Sequence, residues 1–344
     1  MATLLAVAGG IAVVVLTSGG EDPAVPPDPD PTAEPEPEPE PEAEPIIAPL
    51  TGEAVQDPAV PGRSVVALKV DNAPQARPQV GLEDADILFT ELVEGGTTRF
   101  IGLYHSAMAE GAGPVRSGRD VDAQVLPPFS PVFGISGAAP GTYEALRGAG
   151  LLVYEEGQAG AFTRDPNRVS PHDLMASTSA LANASGDLPP AAEPWPFDPA
   201  PPAGGEPATG VELIYSAFYA AAWNWDASVD TWRRSQEGGP HVDADEEQLT
   251  ADTIVVARVT TSNGPGVDVG GNPVPEVNAV GEGEATILRD GRSYPARWRK
   301  PDATSQFEWL TPEGQVLPLR PGRTWVELVP EAGSVSVATT PGAG

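Results

Sequence analysis

Leu92 to Asp120, L-V-E-G-G-T-T-R-F-I-G-L-Y-H-S-A-M-A-E-G-A-G-P-V-R-S-G-R-D, decides how the chain is read. It predicts a strand, a tight turn at Gly95-Gly96, a second strand, and then a helix opened by Gly113-Pro114. Arg116 and Arg119 would stand in that helix's first turns, with Val115, Val121 and Val125 as its buried stripe. A helix start presents unpaired N–H groups and the positive end of the dipole, which suit an anion. Arginines there oppose the dipole, so their placement calls for an anionic ligand or for pairing with Glu91, Glu94 or Asp120.

Outward from this stretch, Ser64 to Val70, Ile87 to Glu94, Thr97 to His105 and Pro131 to Ser136 read as strands, and Thr142 to Ala149 as a short helix capped by Thr142. Ala161 to Asp173 is polar, proline-punctuated and rich in Arg, Asp and His, the composition of a binding loop. Leu188 to Gly210 is rich in Pro and Gly and marks a linker. Beyond it, Val211 to Tyr219, Val229 to Arg234, Thr253 to Thr260, Gly283 to Leu288, Ser293 to Trp298, Phe307 to Leu310 and Thr324 to Val329 alternate with turn signals, Asp290-Gly291 among them. The fold class predicted is α+β: a mixed N-terminal domain of layered sheet and helices over 62–187, and a smaller, mainly β C-terminal domain over 211–330. The linker spans 188–210 and a loose tail 331–344. At 344 residues the chain has room for two cores.

The N-terminus is of another kind. Residues 1–18 are apolar as far as Thr17, short for a spanning helix but fit for a secretory signal or membrane anchor. Residues 19–61 form a Pro/Glu-rich spacer that cannot bury enough apolar surface to order itself, and that should behave as a stiff, extended tether. Residues 21–57 hold twelve of the acids and no Lys or Arg, so the formal charge of −30 falls to −18 for the remainder. That balance excludes sequence-independent nucleic-acid binding, which needs a basic footprint. No cysteine is present, so disulfides, thiolate metal sites and cysteine nucleophiles are excluded. No spacing matches a metal, P-loop, dinucleotide or G-x-S-x-G signature, and no metal, cofactor or catalytic residue is assigned. The region from 62 onward is expected outside the cytoplasm, anchored to the membrane through its N-terminal segment or secreted.

Several uncommon motifs recur in order: Asp71-Asn72 with Ala76-Arg77-Pro78, Glu94-Gly95-Gly96-Thr97-Thr98-Arg99-Phe100, Gly113-Pro114-Val115-Arg116-Ser117-Gly118-Arg119, Arg164-Asp165 with Pro171-His172-Asp173, Gly239-Pro240-His241-Val242-Asp243, and Pro321-Gly322-Arg323-Thr324-Trp325. With them the chain resembles the YerB-like family of bacterial envelope proteins, whose members are often lipoproteins. The resemblance implies an α+β N-terminal domain, a smaller β-rich domain and a place outside the cytoplasm; it implies no reaction. The chain departs from the family at Gly19, where a lipid-bearing cysteine would follow Leu16-Thr17-Ser18, and at Ile135-Ser136-Gly137-Ala138, where His-Ala-Gly-Gly is the expectation.

The motif segments collect Arg99, Arg116, Arg119, Arg164, Arg168 and His172, with Asp71 and Glu94 beside them. Paired guanidinium nitrogens grip phosphate or carboxylate. The reading is a non-catalytic, tethered binding or scaffold protein whose partner is an anionic envelope component or an envelope protein. The alternative is an enzyme acting on phosphorylated cell-wall precursors. The bland reading is internal pairing with Glu91, Glu94, Asp120, Asp165 and Asp173. His241 reads as a structural turn histidine, or as one at a domain interface.

Overall fold

A computed structural model describes residues 45–267 and 271–339. The segment expected as signal or anchor, and the spacer as far as residue 44, lie outside the described residues. Valine is the commonest strand residue, as β-branched side chains favour a pleated surface. In chain order they are β1 (Val66–Asp71), β2 (Ile87–Leu92), β3 (Thr98–Tyr104), β4 (Val132–Gly134), β5 (Leu152–Tyr154), β6 (Phe162–Arg164) and β7 (Leu174–Ala176). The second half adds β8 (Gly210–Ile214), β9 (Ala220–Asp226), β10 (Thr231–Gln236), β11 (Thr253–Val267), β12 (Pro273–Asn278), β13 (Gly281–Arg289), β14 (Arg292–Lys300), β15 (Thr324–Pro330) and β16 (Ser334–Ala338). Helix is confined, among the described residues, to α1 (Asp122–Val125), α2 (Pro140–Gly148), α3 (Thr178–Asn183) and short 3-10 turns. The fold is therefore mostly β, with less helix than the α+β reading implies.

The two halves share one sheet. β15, near the C-terminus, lies between β11 of its own half and β2 of the other, parallel to both. The sheet runs β14-β13-β11-β15-β2-β3-β1-β4-β5, with the short strand Glu206–Pro207 beyond β14. A second sheet, β10-β9-β8-β16, covers one face. There Trp223 and Trp232 pack in one buried cluster with Leu68, Phe100, Ile254 and Trp325. On the opposite face Phe89, Ile101 and Phe133 join Val255, Leu328 and Trp309. Both cores draw on both halves, so the separate cores expected on either side of 188–210 are corrected to one continuous body.

Three further expectations change. The folded body begins at Pro45, because Ile46–Ile47 pairs with Ala54–Val55 and Leu50 is buried in the core. The linker is seated: Trp195 is buried, and Phe197 bridges to Leu319. The tail contributes β16, whose Ser334-Val335-Ser336-Val337 pairs with β8.

The largest correction concerns 113–120, which is extended. The amide of Val115 donates to Leu174 O (2.6 Å), that of Arg116 to Lys69 O (2.7 Å) and that of Gly118 to Gly137 O (2.9 Å). Every one of those donors has a partner remote in sequence, so no i→i−4 ladder can form. Helix α1 starts only at Asp122 and is one turn long. The helix-dipole argument for Arg116 and Arg119 therefore does not apply. Thr142 is not the cap of α2 either; Ala139 holds that position, without a side-chain bond.

Candidate functional site

Strand alternation builds the site. On β1, Lys69 and Asp71 project on one face; on β3, Arg99 stands opposite Asp71 and, across the other edge, opposite Glu91 of β2. That face continues into the core through Ala67, Phe89 and Ile101, so the charged residues occupy one end of an apolar surface. The turn after β2 delivers Glu94, with Gly95 and Gly96 both at positive φ, where glycine costs least. The extended segment 113–120 crosses above and supplies Arg116 and Arg119.

Two carboxylates organise the cations. Asp71 Oδ1 accepts from the amide of Ala73 (3.0 Å), and its Oδ2 lies 2.7 Å from His172 Nδ1 and 2.9 Å from Arg116 Nε. The Arg116 contact is an ion pair without the alignment of a good hydrogen bond. Glu94 accepts from Arg119 Nη2 (2.6 Å) and lies 3.9 Å from Arg99 Nη2. Although burial raises Glu94, the Arg119 hydrogen bond and charge hold its carboxyl below the usual value. Arg119 Nη1 also donates to Gly118 O (2.7 Å), and Arg99 Nη1 to Ser117 O (2.8 Å). Burial, with the neighbouring Arg119 charge, pushes the Arg99 guanidinium down to about 10, so it stays charged at neutral pH.

Beneath lies a wholly buried triad that sequence reasoning did not assemble: the Lys69 ammonium donates to both Glu91 and Asp122. Asp122 Oδ2 also accepts the Arg119 amide (2.7 Å), tying the triad to the segment above. Lys69, Arg99, Arg116 and Arg119 thus face Asp71, Glu91, Glu94 and Asp122, four cations against four carboxylates. With the charges close to balance, an anion would be held by unpaired donors rather than by bulk charge. Arg116 offers them: its side chain is 24% exposed, and its terminal nitrogens make no hydrogen bond among the described residues.

Arg164 and Arg168 do not join this group. Arg164 is held between Glu156 (2.6 Å) and Asp173 (2.7 Å), as the internal-pairing reading has it for Asp173. Arg168 donates to Ala76 O (2.9 Å) and Pro78 O (2.6 Å) and pairs with Asp165 (3.3 Å), which fastens the loop carrying His172. Among the described residues Glu83, Asp243 and Asp245 also bring carboxylate oxygens within 4.8 Å of one another, a set able to hold a cation, distinct from the arginine site.

Burial gives three carboxyls a stability signature, Glu83 among them, which desolvation pushes up to about 7. Desolvation pushes Glu91 up to about 7 against the pull of Lys69, with Asp122 adding to the rise; desolvation likewise pushes Asp86 up to about 6. All three folded values exceed the ordinary ones, so their stabilising contribution is complete below about pH 4 and disappears as pH rises through 6 to 7. Melting temperature is expected to fall between pH 5 and 8, with Glu91→Gln removing on the order of 2–3 kcal/mol of that slope. Calorimetric melts across this range check it; a rising curve, or an unchanged slope in the variant, refutes it.

Comparisons with known proteins bear on the family and the fold. Residues 50–189 match the family described as "Protein of unknown function (DUF3048) N-terminal domain", and residues 211–326 match its C-terminal domain. The chain is 26% identical over 304 residues to "Putative lipoprotein YerB" of Bacillus subtilis (strain 168), covering 85% of this chain and 88% of the relative. This chain belongs to the YerB-like family. The crystal structure of the YerB protein from Bacillus subtilis superposes with a TM-score of 0.73 at 25% identity, covering 85% of this chain and 99% of that one. The family's two domains thus meet at the Pro/Gly-rich stretch, although in this chain their strands form one sheet. No helix among the described residues is long and apolar enough to cross a membrane.

Proposed function

We propose that this protein is a non-catalytic binding component of the bacterial cell envelope that recognises an anionic group, phosphate or carboxylate, at Arg116 and His172. The observation that carries it is the free fork of Arg116, fixed by Asp71 on one side and open on the other. His172 shares that same carboxylate oxygen through Nδ1, and its Nε2 makes no hydrogen bond among the described residues. The location is supported by the apolar start, by the Pro/Glu spacer, and by the lipoprotein named among the relatives. Binding is favoured over catalysis because Asp71 is shared by Arg116 and His172, Glu94 by Arg119 and Arg99, and Glu91 is fully buried, which leaves none of the three placed as a general base.

Phosphate or pyrophosphate is expected to raise the melting temperature of the full chain. Arg116→Ala should cost about 1–3 kcal/mol in that binding while changing the unliganded melt less, since the buried Asp71 keeps the Ala73 amide and His172 Nδ1 as partners. Thermal shift and titration calorimetry read both quantities. Stabilisation that survives in Arg116→Ala, or no stabilisation of the parent by either anion, defeats the reading.

A further inference from the structure

Strand β16 ends the second sheet. It pairs with β8 alone, so its outer row of backbone amides and carbonyls has no ladder partner among the described residues. Among those residues, the other strands with a single neighbour are guarded by proline or by brevity. β12 carries Pro273 and Pro275, Glu206–Pro207 and Gly239–Pro240 end on proline, and β5 and Glu308–Leu310 are three residues long. β16, by contrast, is the five-residue run Ser334-Val335-Ser336-Val337-Ala338, without proline, charge or bulge. An edge left open in this way is a template for another strand. Beside it the large sheet is uncovered. A groove of about 830 Å³ runs along β16 over β13 and β14, with Val335 and Val337 on one side and Val256, Thr286, Pro295 and Arg297 beneath.

We infer that β16 and this groove receive an extended segment of another protein, added to the second sheet as one further strand, with small apolar side chains and a carboxylate turned inward. Alternation sets the inward face. Val335 and Val337 turn toward the large sheet while Ser334 and Ser336 are exposed, and an added strand continues that pattern. The layer beneath sets the width. Because β13 and β14 project past β16, joining two β16 edges would bring two large sheets into one layer, so a lone strand fits where a second copy does not. Charge sets the inward carboxylate. Arg258 and Arg297 line the groove against one acid, Glu284, in a chain whose net charge is strongly negative. Arg258 Nη2 holds the turn into β16 through Glu331 O (2.6 Å) and Gly333 O (2.9 Å), and its Nη1 has no hydrogen-bond partner among the described residues. Arg297 pairs with Glu282 at 3.3 Å, both side chains more than half exposed, so this contact yields readily to an incoming carboxylate.

Titration calorimetry and amide hydrogen exchange on the full chain test this with three peptides blocked at both ends: S-V-S-E-S-V-S, its S-V-S-K-S-V-S counterpart, and the first peptide N-methylated along its backbone. The acidic peptide is expected to bind and to slow exchange at 334–338. The lysine peptide should bind about fivefold more weakly, since like charges then meet across the groove. The N-methylated peptide should not bind, because strand addition rests on main-chain hydrogen bonds. Arg297→Glu, at an exposed position, should reverse the preference between the first two, and Arg116→Ala should leave both affinities unchanged. Absence of binding by the acidic peptide, equal binding of the acidic and lysine peptides, binding that survives N-methylation, or slowed exchange elsewhere but not at 334–338 overturns the inference. A concentration-dependent dimer that protects 334–338 without peptide gives the edge to a second copy and overturns it too.

Discussion

Fragments ending at Gly186 and starting at Thr209 are expected to remain unfolded separately and to recover native structure on mixing. The reason is the placing of β15. Thr324 to Glu327 pair in register with Ile87 to Thr90, so the N-terminal fragment lacks the neighbour of a central strand. It also loses Trp325, whose indole N–H donates to Thr90 Oγ1 (2.7 Å). The C-terminal fragment exposes the other edge of β15 and loses Phe100 and Gln79, which contact Arg234 and His241. Each fragment is long enough to fold in principle, yet each would present an open, apolar, interior strand edge to water. Circular dichroism and urea titration of each fragment alone and of the mixture decide the matter. Independent cooperative transitions in both fragments would show that the shared sheet is not needed for either half.

Much of this was legible in the sequence, in a physically consistent way. Strands whose signal is local, such as Ile87–Leu92, Thr98–Tyr104 and the hairpin at Asp290-Gly291, were read correctly because β-branched runs and turn residues need no distant partner. Segment 113–120 was misread because a proline after glycine opens a helix and enters an extended lace equally well; its hydrogen bonds to Lys69, Gly137 and Leu174 are not local information. Trp195 and Phe197 were hidden in a Pro/Ala composition that resembles a linker until Leu319 is brought alongside. Ser334-Val335-Ser336-Val337 does alternate, but a five-residue edge strand is decided by its partner at Gly210–Ile214. For the candidate site, charged residues at strand ends and in the segments between strands singled out Arg99, Arg116, Arg119, Glu94, Asp71 and His172, whose use in binding is the proposal. Lys69 within V-V-A-L-K-V and Glu91 within I-L-F-T-E-L carried a signal too, since a lone charge in an apolar strand requires a buried partner. Which partner depends on register, and the sequence does not print register.

The second large effect is expected at Arg234, which lies wholly buried on β10 where the halves meet. Its Nε lies 3.2 Å from Glu327 Oε1, its Nη1 donates to His241 Nδ1 (2.8 Å) and its Nη2 to Tyr219 Oη (3.2 Å). The rings of Trp325, Phe100 and Trp223 stand 4.7, 5.2 and 5.7 Å from the guanidinium carbon. Since arginine can only donate, His241 accepts at Nδ1 and donates from Nε2 to Gln79 Oε1 (3.0 Å), linking the halves. Burial and the Arg234 charge hold this imidazole well below its usual value, so it is neutral. Arg234→Met should therefore cost about 3–5 kcal/mol, because Glu327 would keep only the Tyr215 hydroxyl and the Trp223 indole as donors to a buried charge. Arg234→Lys should recover little, since a single ammonium cannot meet three partners on a planar fork. Adding Glu327→Gln to Arg234→Met removes the orphaned charge; the amide oxygen still accepts from the Trp223 indole, and the amide N–H can donate to the Tyr215 hydroxyl. That double variant is expected to be more stable than Arg234→Met alone by at least about 1 kcal/mol. Urea denaturation of the four proteins closes the cycle; a cost below about 1 kcal/mol for Arg234→Met, or strict additivity, would mean that packing of the aromatic rings and not the buried charge joins the two halves.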